Sequence, residues 1–382
     1  MRVADLFCGC GGLSAGLSDA RHEIVFAADT WSRARLVYNA NFDHAAIKLD
    51  LSSVVDAAHA VARSAPDIIV GGPPCQDFSV AGTRTEGDRA DLTVTFAEVV
   101  RACRPLWFMM ENVPAATSSR PWAIARRRLE SAGYGLSQLT LDASFFGVPQ
   151  LRKRTFLIGR LNESENFLDE TVEEAKDDQS LTVREYLGDE FGVEFYYRHP
   201  RHWGRRAIYS IDEPAATVRS TNRPIPPKYT HHALDAAPFE GVKPLTALQR
   251  ARLQTFLAGF EFDHTLAPFE IDLMVANAVP VRMAKVLGAC IAEFEEANDL
   301  SLERDFRAWL RDTQSYTPRS AGNVVSRLKR VRRMIGPETG FQDTRDAVHA
   351  LEKTPEFAGL SSSVRSQLRR AIVLHSEFSH RA

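Results

Sequence analysis

Over its first 160 residues the chain alternates short apolar runs with stretches of helical periodicity, and this constrains the fold more than any other feature. Residues 3–7, 24–28, 68–71, 106–110 and 155–158 read as buried strands, with helical patterns such as 92–104 and 121–132 between them. A strand followed by a helix and another strand favours a crossover connection, which lays each helix over the sheet. The expected fold is therefore α/β, a doubly wound parallel sheet covered on both faces.

Beyond residue 160 the character of the text changes twice. Residues 162–180 are acidic and polar (NESENFLDETVEEAKDDQS), as in a surface excursion. Residues 191–244 are rich in aromatics, arginine, histidine and proline (FYYRHPRHWGRR, RSTNRPIPPKYTHH) and carry no clear helical period, which fits a small loop-rich insertion. Helical pattern returns at 245–256 and 273–295, and the tail reads as helices at 303–312, 319–335, 344–352 and 363–378. The expected organisation is one α/β domain in two parts, 1–190 and 245–299, with 191–244 inserted and 300–382 a helical tail. Net charge is −2, but residues 300–382 carry 15 basic and 9 acidic groups, leaving the tail near +6 and the rest near −8.

The five cysteines form no framework, which points to a reducing compartment and a cytoplasmic location. Cys8-Gly-Cys10 lacks a partner pair at metal-ligand spacing and reads as two small residues lining a tight turn, so no metal is expected. No stretch approaches the ~20 apolar residues of a membrane span, and Arg2 to Phe7 runs directly into a strand rather than a signal peptide.

Four places carry chemistry. In Asp5-Leu-Phe-Cys-Gly-Cys-Gly-Gly-Leu-Ser-Ala-Gly16 a strand ends in glycines that open a helix, letting backbone amides approach a ligand. The glycines fall at 9, 11, 12 and 16, which is not the strict dinucleotide spacing. Asp29 closes the next strand, about 20 residues on, where a carboxylate can bind ribose hydroxyls. Asp50 follows a third segment; alone it reads equally as a solvated strand end, but three such loops at one sheet edge make a nucleoside pocket. In Gly71-Gly-Pro-Pro-Cys75-Gln-Asp-Phe-Ser79, two prolines hold Cys75 on a stiff strand end, where a thiolate could attack an electrophile. Cys103 and Cys290 read as inert packing. Glu111, directly after an apolar strand, is expected to be partly desolvated and able to donate a proton or hydrogen bond. Arg152 and Arg154 alternate along a strand start and could grip a phosphate and a base edge, although an isolated pair of this kind is more often simply solvated.

Taken in order, DLFCGCGG, AADTW, KLD, GGPPCQDFS, DRADL, ENV, QLRKR, LTALQRARLQTF and NAVP resemble the blocks of the cytosine carbon-5 DNA methyltransferases of bacterial restriction-modification type, over residues 1 to about 295. The resemblance implies a Rossmann-like methyltransferase sheet with S-adenosylmethionine as cofactor and double-stranded DNA as substrate. It implies that Cys75 adds to carbon 6 of a flipped-out cytosine and that Glu111 meets ring nitrogen 3 and the exocyclic amine. Arg154 would hold the carbonyl oxygen, and Arg152 would help position Cys75 and the base. Phe7, Gly9 and Gly11 would shape the cofactor pocket, Asp29 would take the ribose, and Thr30 and Trp31 would flank the adenine. Asp50 would accept the adenine amine, Pro74 and Leu92 would line the methionine side, and Asn277 and Val279 would complete the pocket.

Residues 191–244 occupy the family's target-recognition region. Thr217 resembles its recurring threonine, and Gln76, Ser79, Arg219, Asn222, Arg223 and Lys228 are the further candidates for DNA contact. A solvated arginine-rich loop is the competing reading for the last four. A monomer is expected, with a cognate restriction endonuclease acting on the same site as a further partner.

The chain departs from the family pattern at Asp29, where glutamate is usual, and at Gln249, Met274 and Ala276; these departures bear on the cofactor pocket rather than the catalytic set. RNA methyltransferases with two catalytic cysteines carry cysteine where Glu111 stands, so they do not match. A transfer-RNA branch shares the motifs but lacks so long a recognition segment. The tail lies beyond the usual end of such enzymes, and its Ser326-to-Arg333 stretch reads as a DNA clamp, a partner module or a solvated face.

Overall fold

The computed structural model describes residues 1–74, 92–200, 202, 204–296, 300–335 and 344–379. Strand β1 (Arg2–Leu6) is buried after its first residue. It leads through the glycine turn into helix α1 (Gly12–Asp19) and then β2 (Glu23–Asp29). Helix α2 (Ser32–Asn41), the short β3 (Ile47–Lys48) and α3 (Val54–Ala62) follow. Strands β4 (Ile68–Gly71) and β5 (Trp107–Asn112), on either side of α4 (Leu92–Cys103), are buried at every position. Such unbroken apolar runs are what a strand covered on both faces requires. Helix α5 (Arg120–Ser131) precedes β6 (Tyr134–Asp142); the short β7 (Gln150–Leu151) and β8 (Lys153–Leu161) complete this half.

The seven-stranded sheet runs in the order β3-β2-β1-β4-β5-β8-β6. β3 to β5 are mutually parallel. The apolar run 155–158, expected as another parallel strand, lies in β8, which pairs antiparallel with both β5 and β6. An apolar run reports burial and not direction. The ten or so residues between β6 and β8 hold no crossover helix, so the chain reverses there instead of crossing over. The order reverses between β1 and β4: the chain leaves β1 toward β2 on one side and later takes up β4 on the other. A crevice opens beyond the carboxyl ends of those strands, as such switch points require.

Helices α6 (Asp169–Glu174) and α7 (Val183–Leu187) lead to the inserted segment. Within it β9 (Phe195–Tyr197) and β10 (Ile208–Ser210) form a two-stranded antiparallel ribbon. β11 (Ala215–Ala216) pairs parallel with β7 in a separate two-stranded sheet and so ties the insertion to the chain just before β8. Tyr196, Ile211, Ala215 and Val218 share one apolar core with Leu253, Phe256, Met274 and Val275 of the return segment. That segment comprises α8 (Ala247–Leu253), α9 (Pro268–Asn277) and α10 (Val281–Glu296). Residues Pro268–Glu296 are apolar and long enough to cross a membrane by length and composition, unlike the sequence expectation, but 67% of the most apolar window is buried. Ile271, Val275, Met283 and Leu287 there are core residues.

Two glycines of the first turn explain how α1 meets the return segment. A Cβ at Gly12 would strike the Val279 carbonyl, and one at Gly16 the Val281 carbonyl. Close backbone approach to the return segment is what those two positions need.

The chain divides into two compact units, Met1–Cys290 and Ile291–Ala382. The second contains α11 (Leu300–Asp312), α12 (Pro318–Ile335), α13 (Thr344–Glu352), the short α14 (Pro355–Ala358) and α15 (Ser362–Ser379). It buries its own core, including Phe306, Leu310, Leu328, Val331, Leu368 and Ile372.

Candidate active site

The switch-point crevice holds a cavity of about 960 Å³. Around it the structure brings together Phe7, Gly9, Asp29, Thr30, Trp31, Asp50, Pro74, Leu92, Asn277 and Val279, with Glu111 and Arg154 in the same wall. These residues come from the ends of β1, β2, β4 and β5, from the start of α4, from β8 and from the α9–α10 junction, so sheet topology alone assembles them. Gly11 stands behind the lining. Its φ of 99° is left-handed, and a Cβ there would run into the Phe42 ring.

Asp29 organises the glycine turn. Its Oδ2 accepts from the Gly9 N–H at 2.9 Å and its Oδ1 from the Trp31 N–H at 2.8 Å. Asp50 accepts from the Ser52 N–H at 2.9 Å. The cavity therefore offers carboxylates able to take hydroxyl or amine hydrogens, apolar and aromatic faces from Phe7, Trp31, Leu92 and Val279, and a glycine-lined approach. That donor and acceptor set, in that volume, fits a nucleoside with a short polar side arm such as S-adenosylmethionine. Behind the turn, Asp5 is fully buried. Ser14 Oγ donates to its Oδ2 at 2.6 Å, and Tyr38 donates to Ser14 at 2.9 Å. Burial pushes the Asp5 carboxyl up to about 7.

Glu111 is the penultimate residue of β5 and is almost wholly buried. Its Oε1 lies 2.9 Å from Arg154 Nε, both side chains being at most 14% exposed. Desolvation raises the Glu111 carboxyl above the ordinary range, against the opposing pull of the Arg154 and Arg152 guanidinium groups. A Cβ at Gly72 would stand 3.1 Å from Glu111 Oε2, so the glycine lets the Pro73–Pro74 turn pass close to the carboxylate. Asn112, which sequence reasoning missed, donates from Nδ2 to the Pro73 carbonyl at 3.1 Å and fixes that turn. Cys75, Gln76 and Ser79 lie outside the described residues.

Arg152 is buried away from the cavity lining. It donates to the carbonyls of Ala276 at 2.7 Å, Ala278 at 3.1 Å and Val218 at 3.3 Å. Beside it Gln150 donates to Gln254 Oε1 at 2.8 Å and accepts from the Val218 N–H at 2.8 Å. Gln254 in turn donates to the carbonyls of Val275 at 2.8 Å and Ala278 at 2.9 Å. This latch joins β7, the insertion and the cofactor-side wall. No sequence signal marked Gln254 beyond its place in the LTALQRARLQTF block.

Of the recognition candidates, Thr217 Oγ1 donates to the Leu151 carbonyl at 2.6 Å, and Arg219 reaches the His199 carbonyl. Asn222 donates to the Leu245 carbonyl at 2.9 Å. Thr217 and Asn222 thus anchor the segment to residues outside it and Arg219 holds it within, whereas Arg223 and Lys228 are exposed.

A doubly wound sheet with a large cavity at its switch point and a buried carboxylate–guanidinium pair in the same wall is the layout of a Rossmann-like methyltransferase. A family model described as C-5 cytosine-specific DNA methylase matches residues 1–293. The Type II methyltransferase M.HindV of Haemophilus influenzae is 45% identical over 299 residues, covering 78% of this chain and 98% of that protein. The Type II methyltransferase M.HgiDI of Herpetosiphon aurantiacus is 45% identical over 295 residues, covering 77% and 95%. The crystal structure of the S. pombe Dnmt2 methyltransferase superposes with a TM-score of 0.59 at 19% identity, covering 78% of this chain and 99% of that one, a likeness of fold. The chain belongs to the C-5 cytosine-specific DNA methylases and is a DNA cytosine methyltransferase. Residues 294–382 lie beyond the family match.

Proposed function

We propose that the enzyme methylates carbon 5 of a flipped-out cytosine within a specific duplex sequence, through a transient Cys75 adduct, as the modification half of a restriction-modification system. S-adenosylmethionine, held by Asp29, Asp50, Trp31, Phe7 and the Asn277–Val279 wall, supplies the methyl group.

The observation that carries this reading is the Glu111–Arg154 pair in the cavity wall, 2.9 Å apart and shielded from water. Neutral cytosine accepts a thiolate poorly unless charge arriving on its ring is met by prearranged donors. Burial raises the Glu111 carboxyl above its ordinary range, which favours its donating a proton or hydrogen bond to ring nitrogen 3. Arg154 donates to the ring carbonyl oxygen. Cys75 sulfur forms a bond to carbon 6, and the displaced π electrons make carbon 5 nucleophilic. Once carbon 5 carries the methyl group, loss of its proton to a base returns electrons to the ring. The sulfur–carbon bond then breaks and releases Cys75 as thiolate. The cytosine must leave the stack to reach this wall, and its extrusion costs a few kcal/mol.

Arg223 and Lys228 are the recognition-segment residues assigned to DNA contact, with Gln76 and Ser79 beside the nucleophile. Thr217, Arg219 and Asn222 act by shaping the segment. The similarity to Type II methyltransferases supports the restriction-modification role and, with it, a cognate endonuclease at the same site. The enzyme is assigned as a monomer, which sedimentation of the free protein would check.

Purified protein incubated with tritiated S-adenosylmethionine and mixed-sequence duplex DNA, beside Cys75→Ser and a transfer-RNA control, tests the assignment. Bisulfite sequencing is expected to place carbon-5 methylation in one short motif, absent with Cys75→Ser. Label confined to RNA, or label that persists in Cys75→Ser, would overturn it.

A further inference from the structure

The helical unit beyond the family match has a charge distribution that the methyl-transfer chemistry does not use. Arg330 of α12 reaches Glu356 at 3.7 Å, and Arg369 of α15 lies 5.1 Å over the neighbouring Phe357 ring. Two helices thus converge on α14 with a guanidinium each. Arg327 precedes Arg330 by three positions and Arg365 precedes Arg369 by four, spacings that put each pair on one helix flank. Lys353 is exposed immediately before α14. Among the described residues Arg327, Arg365 and Lys353 make no ion pair. Glu352 and Glu356 are the carboxylates paired here, with Arg369 and Arg330 respectively. Arg330 and Arg369, with Arg327, Arg365 and Lys353 close in sequence to these pairs, therefore outnumber the two acids.

We propose that this basic cluster is a sequence-independent grip on the phosphate backbone of duplex DNA. Charge complementarity favours that occupant. Residues 300–382 total about +6 while residues 1–299 total about −8, so the attraction for a polyanion is concentrated in the unit that lies outside the methyltransferase fold. Exposed ion pairs are worth about 0–1 kcal/mol, so Arg330 and Arg369 can exchange a carboxylate for a phosphate at little cost. Guanidinium forks match phosphate oxygens geometrically. A duplex presents such charges about every 1.7 Å along its axis and needs no base readout to hold this cluster. The inference rests on DNA being the substrate but not on the Cys75 chemistry.

The test uses the full-length enzyme and a duplex of poly(dA)·poly(dT), which holds no cytosine and hence no target base. One variant combines Arg327→Gln, Arg330→Gln, Arg365→Gln and Lys353→Gln; Arg369 stays because it packs on Phe357. Affinity is read by fluorescence anisotropy across a salt series. The neutral variant is expected to bind about tenfold or more weakly. Its slope of log affinity against log salt should fall by about 3.6, at about 0.9 for each of the four phosphates no longer neutralised. A second variant with Arg327→Lys, Arg330→Lys and Arg365→Lys is expected to keep most of the affinity and slope. Unchanged affinity and slope in the neutral variant would sink the proposal. So would equal loss in the lysine variant with its melting curve unaltered, because charge would then not be the carrier. Methylation failing on cytosine-containing DNA while poly(dA)·poly(dT) binding follows this pattern would fault the catalytic reading and leave the grip standing.

Discussion

At the scale of single residues, the chemistry depends on how burial and partners set protonation. Desolvation raises the Glu111 carboxyl above its ordinary range, and Arg154 sets its orientation. Glu111→Gln keeps the shape but cannot supply a mobile proton to ring nitrogen 3. It is expected to slow methyl transfer about 10²–10³-fold, with cofactor affinity unchanged, as single-turnover rates and calorimetry would show. Asp5 makes a separate prediction about stability. Its folded carboxyl titrates near 7 rather than 3.8, so the folded state holds a proton that the unfolded chain gives up first. Its contribution is full below about pH 4 and is lost as pH rises through about 7. Thermal melts from pH 4 to 8 should therefore show a steeper decline for the wild type than for Asp5→Asn, whose side-chain carbonyl can still accept from Ser14. Parallel pH profiles for the two proteins would contradict this account.

At the scale of elements, the glycine turn and the latch do the positioning. Gly16→Val would press a branched side chain into the Val281 carbonyl and separate α1 from α10. Gln254→Leu would remove the Gln254 bond to the Val275 carbonyl and leave the Ala278 carbonyl to Arg152 and the Gln150 amide to Leu253, at an expected cost of about 1–3 kcal/mol. Urea unfolding of Gln254→Leu checks that figure, and a loss below the error of the method would show that the latch is dispensable. The strands β1, β4 and β5 were legible in the text because burial on both faces writes itself as an unbroken apolar run. The reversal at β8 was not read, although the absence of a helical pattern between residues 142 and 153 was an available sign. Asp29, Asp50, Glu111 and Arg154 were legible because each stands beside a strand end, in a motif whose chemistry needs it. Asn112 and Gln254 escaped because they bind main-chain carbonyls, Gln254 doing so across more than 20 residues, and such contacts leave no pattern in side-chain types.

At the scale of the whole molecule, the chain holds two compact units with separate cores. Leu310 is fully buried in the second, and Leu310→Ala is expected to destabilise that unit by about 3 kcal/mol. Calorimetry should show cofactor binding by the first unit retained at temperatures where the second has melted; loss of both together would mean that they unfold as one.

The latch has a consequence for how such an enzyme diversifies. Gln150 and Arg152 hold the insertion at Val218 by its main-chain N–H and carbonyl, and β11 is held by strand pairing. All of these contacts are made to backbone atoms and are indifferent to the side chains carried there. The segment is thus moored in part by its peptide groups, beside the apolar core it shares with the return segment. Sequence can drift along its exposed loop while the mooring, and with it the wall that faces the cofactor, stays where it is. On the proposed function, a new DNA specificity can then arise without the catalytic half having to be relearned.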